Sequence, residues 1–253
     1  MTQSQTPDEP RVAVVTGAGQ GLGKAIAASL QDSGHRVALV DLDADAAKAA
    51  AHELDPSEQA TMAVSADVGD REAFAHALDE VGARWRRVDV LVNNAAASVM
   101  RSFWAIEPEE WDHVLGVNLR SVFLGCQLAG PLMREGGWGR IINLSSIAGQ
   151  QGGAVMGAHY AASKAGILVL TKIVAQELAG SGVTVNALAP AAIDSPLLQG
   201  LGDDAIESLA DKIPVGRVGR PEEVGALAAF LASEDAGYIT GATLDINGGL
   251  HMR

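Results

Sequence analysis

The sequence predicts a doubly wound α/β fold, about seven parallel strands with helices on both faces. Three observations carry this. Short β-branched or apolar runs recur along the chain, separated by longer Ala- and Leu-rich stretches with helical spacing. The runs are apolar throughout rather than on every second residue, as strands covered on both faces of a parallel sheet are. A glycine-rich turn follows the first run and opens a helical stretch.

The bulk composition narrows the possibilities. With 253 residues, 48% of them hydrophobic, the chain buries a substantial core, read as one domain over 11–253 behind a polar, proline-bearing, disordered tail at 1–10. Thirty-one acidic against 18 basic residues give a net charge of −13, the wrong sign for a nucleic-acid partner. Cys126 is the one cysteine, so an internal disulfide and a thiolate metal cage are both excluded, and no metal is expected. The start lacks a signal peptide, and no apolar segment reaches membrane-spanning length without a charge or breaker; the expectation is a cytoplasmic protein away from membranes.

The first strand, Val12-Val15, runs into Thr16-Gly-Ala-Gly-Gln-Gly-Leu-Gly23 ahead of a helix at about Leu22 to Asp32. Glycines there let the backbone turn sharply and approach a pyrophosphate at the helix N-terminus; Gly17, Gly19, Gln20, Gly21, Leu22 and Gly23 are the candidate cofactor contacts. A flexible loop without a ligand is the alternative. The second strand, Val37-Val40, ends at Asp41, 18 residues past Gly23. A carboxylate there bonds the ribose hydroxyls of an adenosine and repels a 2′-phosphate, which predicts NAD (NADH) over NADP. Capping of the helix that starts near Ala44 suits Asp43 better than Asp41.

The third strand, Met62-Val64, leads to Asp67 and Val68. Asp67 either accepts from an adenine amino group or caps the helix from Arg71 to Arg84. The fourth, Val88-Val92, closes in Asn93, Asn94, Ala95 and Ala96. Pro108 to Met133 reads as helical with Asn118 inside it, a poor helix former whose presence suggests a specific hydrogen bond. The fifth, Ile141-Leu144, ends near Ser146, a hydroxyl able to bond a substrate oxygen. The stretch from His159 to Leu178 reads as a mostly buried helix, on which the i, i+4 spacing sets the Tyr160 phenol beside the Lys164 ammonium. A cation there favours a phenolate and lowers a pKa of about 10. His159 points about a third of a turn away and is a pocket-wall candidate. The sixth strand, Val183-Ala189, closes at Pro190, Ile193 and Ser195, and 191–213 reads as a mobile substrate lid. A helix from Pro221 to Leu231 and a seventh strand, Thr243-Ile246, complete the chain.

Taken in order, Thr16-Gly17-x-x-x-Gly21-x-Gly23, Asn93-Asn94-Ala95, Asn118, Ser146, Tyr160-x-x-x-Lys164, Pro190 and Arg217-x-Gly-Arg-Pro-Glu-Glu resemble the short-chain dehydrogenase/reductase family, from Val12 to Gly249. The resemblance implies a Rossmann fold and an oxidoreductase interconverting a secondary alcohol and a ketone. It implies Tyr160 as the acid/base, and Lys164 as the ligand of the nicotinamide ribose that lowers the Tyr160 pKa. Ser146 would polarise the substrate oxygen, and Asn118 would hold a water for proton relay. A homotetramer follows from the same resemblance. A 3-oxoacyl reductase, a non-catalytic NAD-binding sensor or scaffold, and an epimerase or dehydratase are the competing readings.

The chain departs from the family pattern at Ala96 (usually Gly), at Ala191 after Pro190 (usually Gly), and at Ser195 (often Thr). Ser146 precedes Tyr160 by 14 residues, one more than expected, which suggests an insertion at 150–153. The expected substrate wall of Ala97, Ser146, Ala148, Gln150, Met156, Tyr160, Ala191 and Ala192 is largely small or apolar, which points to an uncharged substrate.

Overall fold

The computed structural model describes residues 9–153, 156–200 and 202–252. The N-terminal tail expected at 1–10 lies almost wholly outside the described residues. All seven expected strands form: β1 (Val12–Thr16), β2 (Arg36–Asp41), β3 (Thr61–Ser65), β4 (Val90–Asn93), β5 (Gly139–Leu144), β6 (Val183–Pro190) and β7 (Thr243–Ile246). They make one sheet in the order β3-β2-β1-β4-β5-β6-β7, and every pairing is parallel. Strand order reverses between β1 and β4, and the crevice beyond their carboxyl ends is where such sheets hold ligands.

Alternate strand residues feed two cores. Val12, Val14 and Leu91 pack against Phe74, Leu78, Met133 and Ile167 on one face, while Ala13, Val15 and Val92 meet Ile26, Leu30, Val224 and Leu231 on the other. Each fully buried side chain of this size contributes about 1.5–3 kcal/mol. The first face is covered by α3 (Arg71–Trp85), α5 (Ser121–Gly136) and α7 (Ala158–Glu177); the second by α1 (Gly21–Asp32), α2 (Ala44–Leu54) and α10 (Pro221–Leu231).

Two stretches differ from the sequence expectation. The run from Pro108 is not one α-helix: α4 (Pro108–Leu115) passes through a π-helical turn, Gly116–Arg120, into α5. The wider turn sends Asn118 fully inside, where its amide is fixed. The expected insertion loop forms a short helix, α6 (Ala148–Gln151), before the glycines. Two further short helices, α8 (Pro196–Gln199) and α9 (Asp203–Ala210), lie in the segment expected to be a lid.

Candidate active site

The glycine loop and the β4 end are stitched together across the switch point. Gly17 and Gly21 take φ of +62° and +54°, a left-handed backbone that suits glycine. At Gly23 a Cβ would stand 2.1 Å from the Gly17 carbonyl oxygen, so α1 approaches the loop this closely only without a side chain. Asn94 Nδ2 donates to the carbonyls of Thr16 (2.9 Å) and Gly17 (3.0 Å), and Thr16 Oγ1 accepts the N–H groups of Asn94 and Ala95. The Thr16 hydroxyl is thus a positioning group that the sequence reading passed over.

Asp41 Oδ2 accepts the Gly19 N–H at 2.8 Å, tying the loop to the end of β2. The α2 cap is Asp43, which accepts from Asp45 and Ala46, as expected. Asp67 does not cap α3: Asp70 does, through the Ala73 N–H at 2.9 Å, while Asp67 turns back to its own loop at Gly69. That removes the capping alternative for Asp67.

These groups line a cleft of about 730 Å³. Gly17, Gln20, Gly21, Leu22 and Gly23 form one wall; Asp41, Asp67 and Val68 form the end beyond β2 and β3. Asn94, Ala95, Ala96, Ala97 and Ser195 also line it, Asn94 and Ala95 directly against Gly17. The cleft also takes in His113, Val117 and Arg120, from α4 and the π turn, which were not foreseen. Their only trace in the sequence is proximity to Asn118. Of the expected cofactor contacts, Gly19, Tyr160, Lys164, Pro190 and Ile193 lie outside the lining. Pro190 is the last residue of β6, its carbonyl accepting from Ile147 at 2.9 Å, and Ile193 forms a parallel bridge to Gly219.

The second cluster stands at the ends of β5 and β6, against α7. Ser145 Oγ donates to the Lys164 carbonyl at 2.8 Å, and Gly149 rests so close to that peptide that a Cβ would lie 2.6 Å from the Lys164 carbonyl carbon. This docking of the β5–α6 corner on α7 brings the Ser146 hydroxyl near enough to the Tyr160 phenol to act on its pKa. Lys164 Nζ is buried, donates to the Leu144 carbonyl at 2.6 Å, and lies 5.5 Å from the centre of the Tyr160 ring. The adjacency expected from the i, i+4 spacing is therefore present.

The expected electrostatic direction is not. Burial raises the Tyr160 pKa above the ordinary phenol value, and the Ser146 hydrogen bond opposes it as the smaller effect. Burial also pushes Lys164 down to about 8. The expectation for Tyr160 did not account for depth.

Asn118 uses its side-chain amide fully. Oδ1 accepts the Ala97 N–H (2.7 Å), and Nδ2 donates to the Ala97 carbonyl (3.0 Å) and Ser163 Oγ (3.1 Å). The amide joins the cleft edge to α7. Of the expected substrate wall, Ala148 is buried and its N–H donates to Ser146 Oγ at 3.1 Å. Ala191 and Ala192 are pinned to Ile246 and Gly219 through the backbone, and Met156 is half-buried just before α7. Gln150 donates to Asp245 on β7 at 2.6 Å, so its amide nitrogen is directed at the sheet edge. His159 is no pocket wall: it is 0% exposed and bonded to Glu110. No helix among the described residues is long and apolar enough to cross a membrane.

Comparison with known proteins agrees with this geometry. A family model described as enoyl-(acyl carrier protein) reductase matches residues 17–251. Nodulation protein G of Azospirillum brasilense is 40% identical over 244 residues, covering 96% of this chain and 99% of that protein. The 2-dehydro-3-deoxy-L-rhamnonate dehydrogenase (NAD(+)) of a Sphingomonas species is 40% identical over 240 residues, 94% of each chain. The 3-oxoacyl-[acyl-carrier-protein] reductase of Staphylococcus epidermidis is 39% identical over 241 residues, 95% of this chain and 98% of its own. With these matches over nearly its whole length, the chain belongs to the short-chain dehydrogenase/reductase family of oxidoreductases.

Proposed function

We propose that the chain interconverts a secondary alcohol and a ketone with NAD as coenzyme, Tyr160 exchanging the proton. One observation carries the reading: a desolvated phenol close to the Ser146 hydroxyl, with a buried ammonium beside its ring, on the helix that the Asn118 amide joins to the cleft edge at Ala97. The cleft fits a dinucleotide because Gly17, Gly21 and Gly23 leave backbone where side chains would block a pyrophosphate. The α1 N-terminus then faces the phosphates and Asp41 the adenosine ribose, with Lys164 as the candidate ligand of the nicotinamide ribose. When bound, the nicotinamide supplies or accepts the hydride.

The residues handle the proton and the oxygen. Ser146 holds the substrate oxygen against the phenol, and Tyr160 donates its proton in reduction or takes one in oxidation. A phenol with a raised pKa is protonated at neutral pH, ready to act as the acid. Oxidation requires the phenolate, so its rate should climb with pH. Tyr160→Phe should cut turnover by about 10²-fold or more in both directions and abolish that climb; steady-state assay over a panel of secondary alcohols, polyols and 3-hydroxyacyl esters checks this. Turnover retained within about tenfold would sink the assignment.

Support for NAD comes from the Asp41 carboxylate on the cleft wall, which repels a 2′-phosphate, and from the NAD(+) in the name of the Sphingomonas relative. Asp41→Ala should narrow the preference for NADH over NADPH by about tenfold or more, read from kcat/KM for each coenzyme. Equal use of the two by the unmodified chain would remove the argument. The small and apolar residues of the expected substrate wall, Ala97, Ala148, Met156, Ala191 and Ala192, favour an uncharged substrate. The staphylococcal relative supports 3-oxoacyl reduction as the second reading. A cytoplasmic homotetramer without nucleic-acid or membrane partners completes the proposal.

A further inference from the structure

His159 precedes Tyr160 and uses both ring nitrogens. Nδ1 accepts the Tyr160 main-chain N–H at 2.8 Å, and Nε2 lies 3.1 Å from Glu110 Oε1. A ring nitrogen that receives an N–H carries no proton, so the proton sits on Nε2 and is donated to Glu110, which fixes one neutral tautomer. Glu110, on α4, is held in turn by Arg101, whose Nη2 donates to Oε2 at 2.8 Å and whose Nε contacts both carboxylate oxygens. Gly157 makes room for the ring, since a Cβ there would lie 2.5 Å from His159 Cε1.

The N–H that His159 receives has no helical partner. Tyr160 is the third residue of α7, within the first turn, whose N–H groups point out of the helix unsatisfied. The flanking residue Gly157 offers no side chain to cap them. Lys164, one turn further in, is fixed independently by the Ser145 bond to its carbonyl and by its own bond to Leu144. Loosening the first turn therefore displaces the phenol against a stationary Ser146 and Lys164.

We propose that His159 is a positioning residue, held in its Nε2–H tautomer by the Arg101–Glu110 pair, that caps the first turn of α7 at Tyr160 and so sets the phenol against Ser146. The proposal rests on the reading of Tyr160 as the proton carrier. Its competitor is a histidine that merely fills core volume.

Three substitutions separate the two. His159→Asn sets an amide oxygen where Nδ1 stands and keeps the Tyr160 bond. His159→Gln reaches the Nε2 position and keeps Glu110 but not Tyr160, and His159→Leu keeps neither. With the best substrate of the unmodified chain in the same panel, kcat should stay within about threefold for Asn and fall about tenfold or more for Gln and Leu. The KM for NADH should stay within about twofold throughout, because His159 does not line the cleft. Amide hydrogen exchange at Tyr160 should quicken in Gln and Leu and not in Asn. If Gln turns over like the unmodified chain, or Asn loses as much as Gln, the proposal is overturned; the Asn–Gln pair decides even if Leu fails to fold. Failure of the underlying reading shows separately, as an active Tyr160→Phe.

Discussion

Lys164 holds its position against the preference of its own charge. Burial pushes the folded pKa to about 8, against about 10.4 for an unfolded lysine. Between those values the unfolded chain binds more protons, so stability rises with pH from about 8 to about 10.4. The cost is fully present below pH 8, where the ammonium is charged in both states. Lys164→Met should accordingly unfold at an equal or higher urea concentration at pH 7, by about 1–3 kcal/mol, and should lose the rise above pH 8. Its turnover should fall by about 10²-fold or more. Urea titrations at pH 7 and about pH 9.5, beside the alcohol assay, check both halves. A large loss of stability would mean that the bond to the Leu144 carbonyl outweighs the burial of the charge.

Elements were more legible than their ends and their depth. Parallel strands covered on both faces read as unbroken apolar runs, so all seven strands stood out. Their polar last residues, Thr16, Asp41, Ser65 and Asn93, belong to the sheet but break the pattern. The pairing of Tyr160 with Lys164 follows from helix geometry alone. The direction of the phenol's pKa does not, because it depends on how deeply α7 sits, which no local spacing encodes. The π turn was hidden for a similar reason: apolar residues continue through 116–120, and Asn118 alone hinted at a fixed amide. Asp70, which the sequence analysis did not weigh, immediately precedes α3 and caps it, while Asp67 turns back to Gly69 in the loop. His159 was misjudged because its partner, Glu110, lies 49 residues away on another helix.

At the scale of the whole molecule, a closed tetramer needs two interfaces, and two of the exposed apolar groups among the described residues suit that role. One lies on the helices beside the first core: Phe123 on α5 is 46% exposed, and Val169 and Ile173 on α7 are 59% and 50% exposed. The other gathers Val215, Leu250 and Met252 beyond the end of β7, with Val215 bonded to Gly248 and Met252 against Gly249. β7 is also an edge strand of the sheet. Faces of this kind are normally covered in solution, and under the proposed tetramer a second copy of the chain would supply a self-complementary cover at each. On this argument Ile173→Glu should turn a tetramer into a dimer, Met252→Glu should do the same through the other face, and the double variant should be monomeric. Light scattering coupled to size exclusion reads each outcome. A monomeric unmodified chain would remove the proposal, and a double variant that stays tetrameric would move the interfaces elsewhere. Since Val169 and Ile173 share α7 with Tyr160 and Lys164, covering that face in the proposed tetramer would also stiffen the helix proposed to carry the proton chemistry.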